Sequence, residues 1–158
     1  MAAPDQERRK EKVQGASETS EQQAVIEWAR YAQGRYPALK NLYHVPNEGK
    51  RTKAAAAIAK SLGLSAGVPD LILDYPAGIY HGLRIEMKYD RGTPSAEQKD
   101  WLRRLQAAGY FVAVVWSANA AIRLLTQYVN LKPCEKMAED NDVTKVRYGF
   151  PSLDGERK

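Results

Sequence analysis

The chain predicts an α/β domain with a mixed central β-sheet flanked by helices. Three features of its pattern carry that expectation. Apolar spacing switches between the helical period and the two-residue period of strands, in the order helix, strand, helix, strand, strand, helix, strand, helix over residues 18–128. Residues 110–116 (YFVAVVW) are continuously apolar, as in a strand buried on both faces. A connection from about Tyr75 to Gly82, with Pro76 and Gly78, is short enough to fold the two extended runs beside it into an antiparallel pair.

Residues 18–34 read as an amphipathic helix whose inward stripe holds Glu18, Gln22, Val25, Ile26 and Ala29, with Glu21 at its edge. Pro37 closes the following connection, and residues 41–45 (NLYHV) form a short strand ended by Pro46. Residues 52–62 (TKAAAAIAKSL) favour a helix stopped at Gly63. Residues 68–74 and 83–89 are strands. Residues 94–108 form a helix with Pro94 near its start and Gly109 past its end, and residues 118–128 form the last helix. Residues 1–17 are polar and lack periodicity, so they read as a disordered arm. Residues 18–130 are the domain, and 131–158 a polar tail that docks or meets a partner subunit.

The 158 residues suffice for one core without staples. Cys134 is the single cysteine, which excludes an internal disulfide and argues against a zinc cluster. No apolar run has the length of a signal peptide or membrane span, so a cytoplasmic protein is expected. The net charge of +5 lies mostly in residues 18–130, which carry fourteen basic and ten acidic side chains, and it permits a polyanionic partner.

Chemistry concentrates on the middle strands. In residues 83–89 (LRIEMKY), alternation sets Leu83, Ile85 and Met87 on one face and Glu86 with Lys88 on the other. Antiparallel pairing across the 75–82 loop brings Asp70 opposite Glu86. Two adjacent carboxylates repel unless a proton or cation lies between them. A divalent ion with oxygen ligands, beside Lys88, suits phosphodiester hydrolysis. A salt bridge on an exposed sheet face is the competing reading. Glu18 and Gln22 lie on an inward stripe, as does Gln98 with Trp101, Leu102 and Leu105. Ser95 and Gln98 also fit a capping box, and Glu18 could simply complement its helix dipole. Lys50, Arg51 and Lys53 suit phosphate contacts, and Lys99, Arg103 and Arg104 form a second basic cluster. His44 and Asn47 could approach DNA, or serve as an ordinary surface histidine and a turn cap. Tyr75, Tyr80 and His81, in a loop placed beside the site, could touch nucleotides or anchor that loop.

Residues 67–72 (GVPDLI), 82–88 (GLRIEMK), 95–98 (SAEQ) and 109–117 (GYFVAVVWS) together resemble the VRR-Nuc family, a branch of the PD-(D/E)xK nuclease superfamily. Glu18 with Gln22, and residues 44–51 (HVPNEGKR), resemble it as well, so the likeness covers about 18–129. The small size resembles the stand-alone virus-type members. The resemblance implies a restriction-endonuclease-like core and dependence on Mg²⁺ or Mn²⁺. By position, Asp70 and Glu86 would hold metal with the Met87 carbonyl, and Lys88 would be the catalytic lysine. Gln98 would steady that lysine or the phosphate, and Glu18 would be the outer acid, with Glu21 close enough to compete. It further implies a homodimer resolving Holliday (four-way) junctions, in a bacterial cell or, if phage-encoded, in the host cytoplasm. The alternatives are a flap or general DNA nuclease, or a module that binds branched DNA without cutting it.

Overall fold

The structure is a computed structural model that describes residues 17–47, 49–138 and 147–148. Helix α1 (Glu18–Ala32) leads into a 3-10 helix (Pro37–Asn41), then strand β1 (Leu42–His44) and helix α2 (Lys53–Ser61). Strands β2 (Leu71–Leu73) and β3 (Leu83–Met87) follow, then α3 (Ala96–Ala107), β4 (Phe111–Val115), α4 (Ala118–Val129) and β5 (Arg147–Tyr148). The sheet runs β1-β2-β3-β4-β5. Among the described strands only β3 and β4 pair in parallel, and α3 supplies the crossover that a parallel pair requires. The expected mixed sheet flanked by helices is therefore present.

Local chemistry sets the helix starts. Ser17 caps α1 by accepting the Ser20 N–H at 3.1 Å, while the Ser20 hydroxyl accepts the Ser17 N–H at 2.8 Å. Thr52, Ser95 and Ser117 accept backbone N–H groups in the same way at α2, α3 and α4. Alternation then divides the sheet between two layers. Leu71, Leu73, Leu83, Ile85, Met87, Ala113 and Val115 pack with Val25 and Ala29 of α1 and with Leu124, Leu125 and Tyr128 of α4. Val112 and Val114 face Leu102 of α3. The continuous apolar run of β4 follows from this, since both of its faces are covered.

The differences from the sequence expectation are local. The 3-10 helix at 37–41 was not expected, because so short an element carries no periodicity. Strands β2 and β3 are shorter than 68–74 and 83–89. In their register Pro69 stands opposite Met87 and has no N–H to give the Met87 carbonyl, and the Met87 N–H donates to the Asp70 carboxylate. Helix α2 buries none of its residues, leaving Ile58 60% exposed, and Leu62 just past its end is 82% exposed. The described part of the 131–158 segment lies on its own chain. Met137 enters the core, its N–H donating to Tyr80 Oη at 3.2 Å, and β5 pairs with β4. Residues 1–16, expected as a disordered arm, and most of the residues beyond 138 lie outside the described residues.

Candidate active site

The hairpin of β2 and β3 sets the centre of the site. Its register pairs Leu71 with Ile85 and Leu73 with Leu83, and one further step places Asp70 opposite Glu86. The Asp70 Oδ2 accepts the Met87 N–H at 2.7 Å, which locks that carboxylate against the end of β3. Glu86 is fully buried and Lys88 nearly so, on the face that α3 covers. Lys88 Nζ lies 2.7 Å from Glu86 Oε1 and 3.9 Å from Glu18 Oε2.

Gln98 belongs both to its helix and to the site. Its Oε1 accepts the Ser95 N–H at 2.8 Å, completing the capping box. That bond leaves the amide nitrogen pointing inward, where it donates to Glu86 Oε1. The two readings of Gln98 hold together in one side chain. Gly67 makes the approach of α3 possible: at φ +85°, a Cβ on it would sit 2.5 Å from the Glu97 carbonyl carbon. Asn47, Gly67, Asp70, Lys88, Thr93 and Gln98 help line a cleft of about 330 Å³.

Electrostatics follow from this burial. Burial and the neighbouring Asp70 charge push the Glu86 carboxyl up to about 8, against the opposing pull of Lys88. Its contact with Lys88 at neutral pH is therefore an ammonium against a largely protonated carboxyl, despite a spacing that fits an ion pair. For Lys88, burial acts downward, but the hydrogen bond and charge of Glu86, with Glu18 and Asp70, hold the ammonium above its usual range. Glu86 Oε1 receives both Lys88 and Gln98, whereas the buried Oε2 has no hydrogen-bond partner. Arg84, two residues earlier on the same face, differs: it bonds Asp74 at 2.9 Å and Leu83 O at 3.0 Å and lies over Tyr110. That network is closed, and the one at Glu86 is open.

The donor set suits a hard cation. Two carboxylates and a nearby backbone carbonyl leave most positions to water and phosphate, which is the habit of magnesium sites. Among the described residues no three His, Cys, Asp or Glu side chains gather to form a protein cage. The unpartnered Glu86 Oε2 is the atom that a cation would satisfy.

The remaining candidates are placed as follows. Glu18 reaches toward Lys88, whereas Glu21 accepts the Ala118 N–H at the start of α4. His44 Nδ1 lies 3.0 Å from the Asp70 carbonyl oxygen and 2.7 Å from Gln22 Nε2, and His44 does not line the cleft. Lys50, Arg51 and Lys53 are exposed and do not line the cleft, and Arg51 donates to Pro46 O at 2.9 Å. Arg104 pairs with Asp100 at 3.0 Å and lies over Trp101. Tyr75, Tyr80 and His81 are not beside the site. They lie in the loop joining Leu73 to Leu83, the opposite end of the hairpin from Asp70 and Glu86. Tyr80 packs edge-on against Phe111 at 5.1 Å, which makes it an anchor for the loop. The structural parts of Gly67 and Glu21 were missed. Gly67 could have been suspected from a glycine standing next to Val-Pro-Asp, but Glu21 meets a residue 97 positions away and leaves no local signal.

Comparison with known proteins gives the family. The family model described as the VRR-NUC domain matches residues 16–119. A solved structure described as a VRR_NUC domain protein is 32% identical, with a TM-score of 0.64, over 75% of this chain and 93% of that one. No curated protein matches. Among the described residues no helix is long and apolar enough to cross a membrane. The chain belongs to the VRR-NUC domain family, a family of nuclease type.

Proposed function

We propose that this DNA nuclease is a Mg²⁺- or Mn²⁺-dependent endonuclease acting on branched DNA, with four-way junctions as its substrate and a homodimer as its working form. Family membership supplies the nuclease class, and the observation that carries the mechanism is Glu86: wholly buried, facing Asp70, with one oxygen unpartnered. Asp70, Glu86 and the Met87 carbonyl would hold the cation. When bound, it would supply an activated water and neutralise charge on the scissile phosphate.

The chain's own groups do the rest. Lys88 keeps its proton and sets a positive charge where the pentacovalent phosphorane gains negative charge. Gln98 holds Glu86 Oε1 in place, so the carboxylate presents its other oxygen. Glu18 flanks Lys88 at 3.9 Å and fixes the direction of the ammonium. Lys50, Arg51 and Lys53, exposed beyond Asn47, are offered to the DNA backbone. The exposed α2 face, with Ile58 and Leu62, is a surface on which a second copy could pack, and a two-fold dimer matches the paired cuts a junction needs.

A cleavage panel tests this reading. Four-way junction, flap, duplex and single-stranded DNA are incubated with each cation, and the protein's mass is read by light scattering. Paired nicks in the junction by a dimer are expected. Preferential flap cutting by a monomer would overturn the junction assignment, and tight junction binding with no cutting would make the chain a binding module.

A further inference from the structure

Asn47 follows the end of β1, where the pairing with β2 continues beyond the strands themselves: the Val45 N–H donates to Asp70 O at 3.0 Å. One step further along, Asn47 Nδ2 donates to Val68 O at 2.9 Å. A carbonyl only accepts, so this bond fixes which end of the amide is which, and Oδ1 is turned the other way. That oxygen is buried and has no hydrogen-bond partner. Among the described residues two side-chain atoms are in this state, Asn47 Oδ1 and Glu86 Oε2. Both are acceptors. Asn47 lines the cleft together with Asp70 and Lys88, and Glu86 lies beneath Lys88 and Gln98.

Buried acceptors are nearly always satisfied in folded proteins, so Asn47 Oδ1 calls for a source of protons beside the cation that would take Glu86 Oε2. Lys88 and Gln98 turn to Glu86 Oε1 and the Met87 N–H to Asp70, and none of them reaches Asn47 Oδ1. Water held on a divalent cation has only protons to offer, and the cation makes them strong donors. A neutral amide oxygen accepts such a bond without adding a third negative charge beside Asp70 and Glu86, which the centre would resist.

We propose that Asn47 is a positioning residue whose Oδ1 accepts a hydrogen bond from water in the coordination shell of the cation held by Asp70 and Glu86. The assignment rests on the metal-site reading given above. It differs from a contact of Asn47 with DNA, because it acts with no nucleic acid present.

The test is calorimetric titration of the cation-stripped full chain with Mn²⁺ alone, accompanied by thermal melts in EDTA. Asn47→Ala is expected to weaken Mn²⁺ binding about tenfold, the lower end of what outer-shell partners of metal ligands contribute. Asn47→Asp removes the donor to Val68 but keeps an acceptor, so it is expected to melt lower, as Asn47→Ala does, and yet to bind Mn²⁺ at least as tightly as the parent. If Asn47→Asp loses affinity in step with Asn47→Ala, the residue acts only through Val68 and the assignment is overturned. Parent-like affinity in Asn47→Ala overturns it too. Asp70→Ala separates the two levels: unchanged Mn²⁺ binding there defeats the metal site itself. Lost binding in Asp70→Ala beside parent-like binding in Asn47→Ala defeats the Asn47 role alone.

Discussion

Glu86→Gln turns the buried carboxyl into a neutral near-isostere, and the consequence for stability can be worked from the structure. In the folded, cation-free chain burial and Asp70 raise the Glu86 pKa from 4.5 to about 8. The folded state therefore binds the proton more tightly than the unfolded state, and Glu86 is tolerated at low pH. Stability is lost as pH rises from 4.5 toward 8, at up to about 1.4 kcal/mol for each pH unit. At pH 5 the folded carboxyl is protonated, so parent and Glu86→Gln are expected to differ little. At pH 7.5 the variant is expected to be more stable by about 3 kcal/mol, because glutamine has no proton to lose. The assay is urea unfolding in EDTA at half-unit steps from pH 5 to 8.5, scored as the difference between the two proteins so that other titrating groups cancel. A constant difference across that range, or a parent that gains on the variant as pH rises, would refute the reasoning that the buried carboxyl opposes ionisation.

Three further outcomes follow from the same geometry. Gly67→Ala forces a Cβ to within 2.5 Å of Glu97 backbone at φ +85°, so chemical denaturation should show a loss of about 1–3 kcal/mol, with cleavage impaired through α3 and Gln98. Glu21→Ala removes the acceptor for the Ala118 N–H, so melts should report a loss of about 1 kcal/mol with cleavage kept, whereas Glu18→Ala should slow cleavage and leave the melt nearly unchanged. Tyr80→Phe strips the acceptor from the Met137 N–H at the far end of the hairpin, which should cost about 1 kcal/mol in denaturation and leave cleavage rates at the parent value.

The sequence reading succeeded where a period or a short offset carries the information. Alternation in 83–89 separated Leu83, Ile85 and Met87 from Glu86 and Lys88, and the structure divides them in that way between the two layers of the core. The loop length was enough to oppose Asp70 and Glu86, since the register of a hairpin is set by its connection. Ser95 and Gln98 announced their capping box from three-residue spacing. The reading failed where the partner is remote or the element is too short for a pattern. The 3-10 helix at 37–41 and the pairing of β5 with β4 are of this kind. Tyr75, Tyr80 and His81 were set beside the site because they adjoin its strands in sequence, but a hairpin carries its loop and its open end in opposite directions. Nor does alternation distinguish an exposed carboxylate from one sealed under a helix. The full burial of Glu86, which raises its pKa, comes from the way Gln98 and α3 close over it.

The central claim is that Asp70, Glu86 and Lys88 form a reacting centre and not a buried salt bridge. Single-turnover cleavage of a labelled four-way junction, with Mg²⁺, with Mn²⁺ and with EDTA, tests it most directly when parent, Asp70→Ala and Lys88→Ala are run side by side. The account predicts that the parent cuts with a divalent cation and stops in EDTA, and that both variants bind the junction without cutting it. Parent-like cleavage by Asp70→Ala, or no cleavage of any DNA by the parent with either cation, would contradict it.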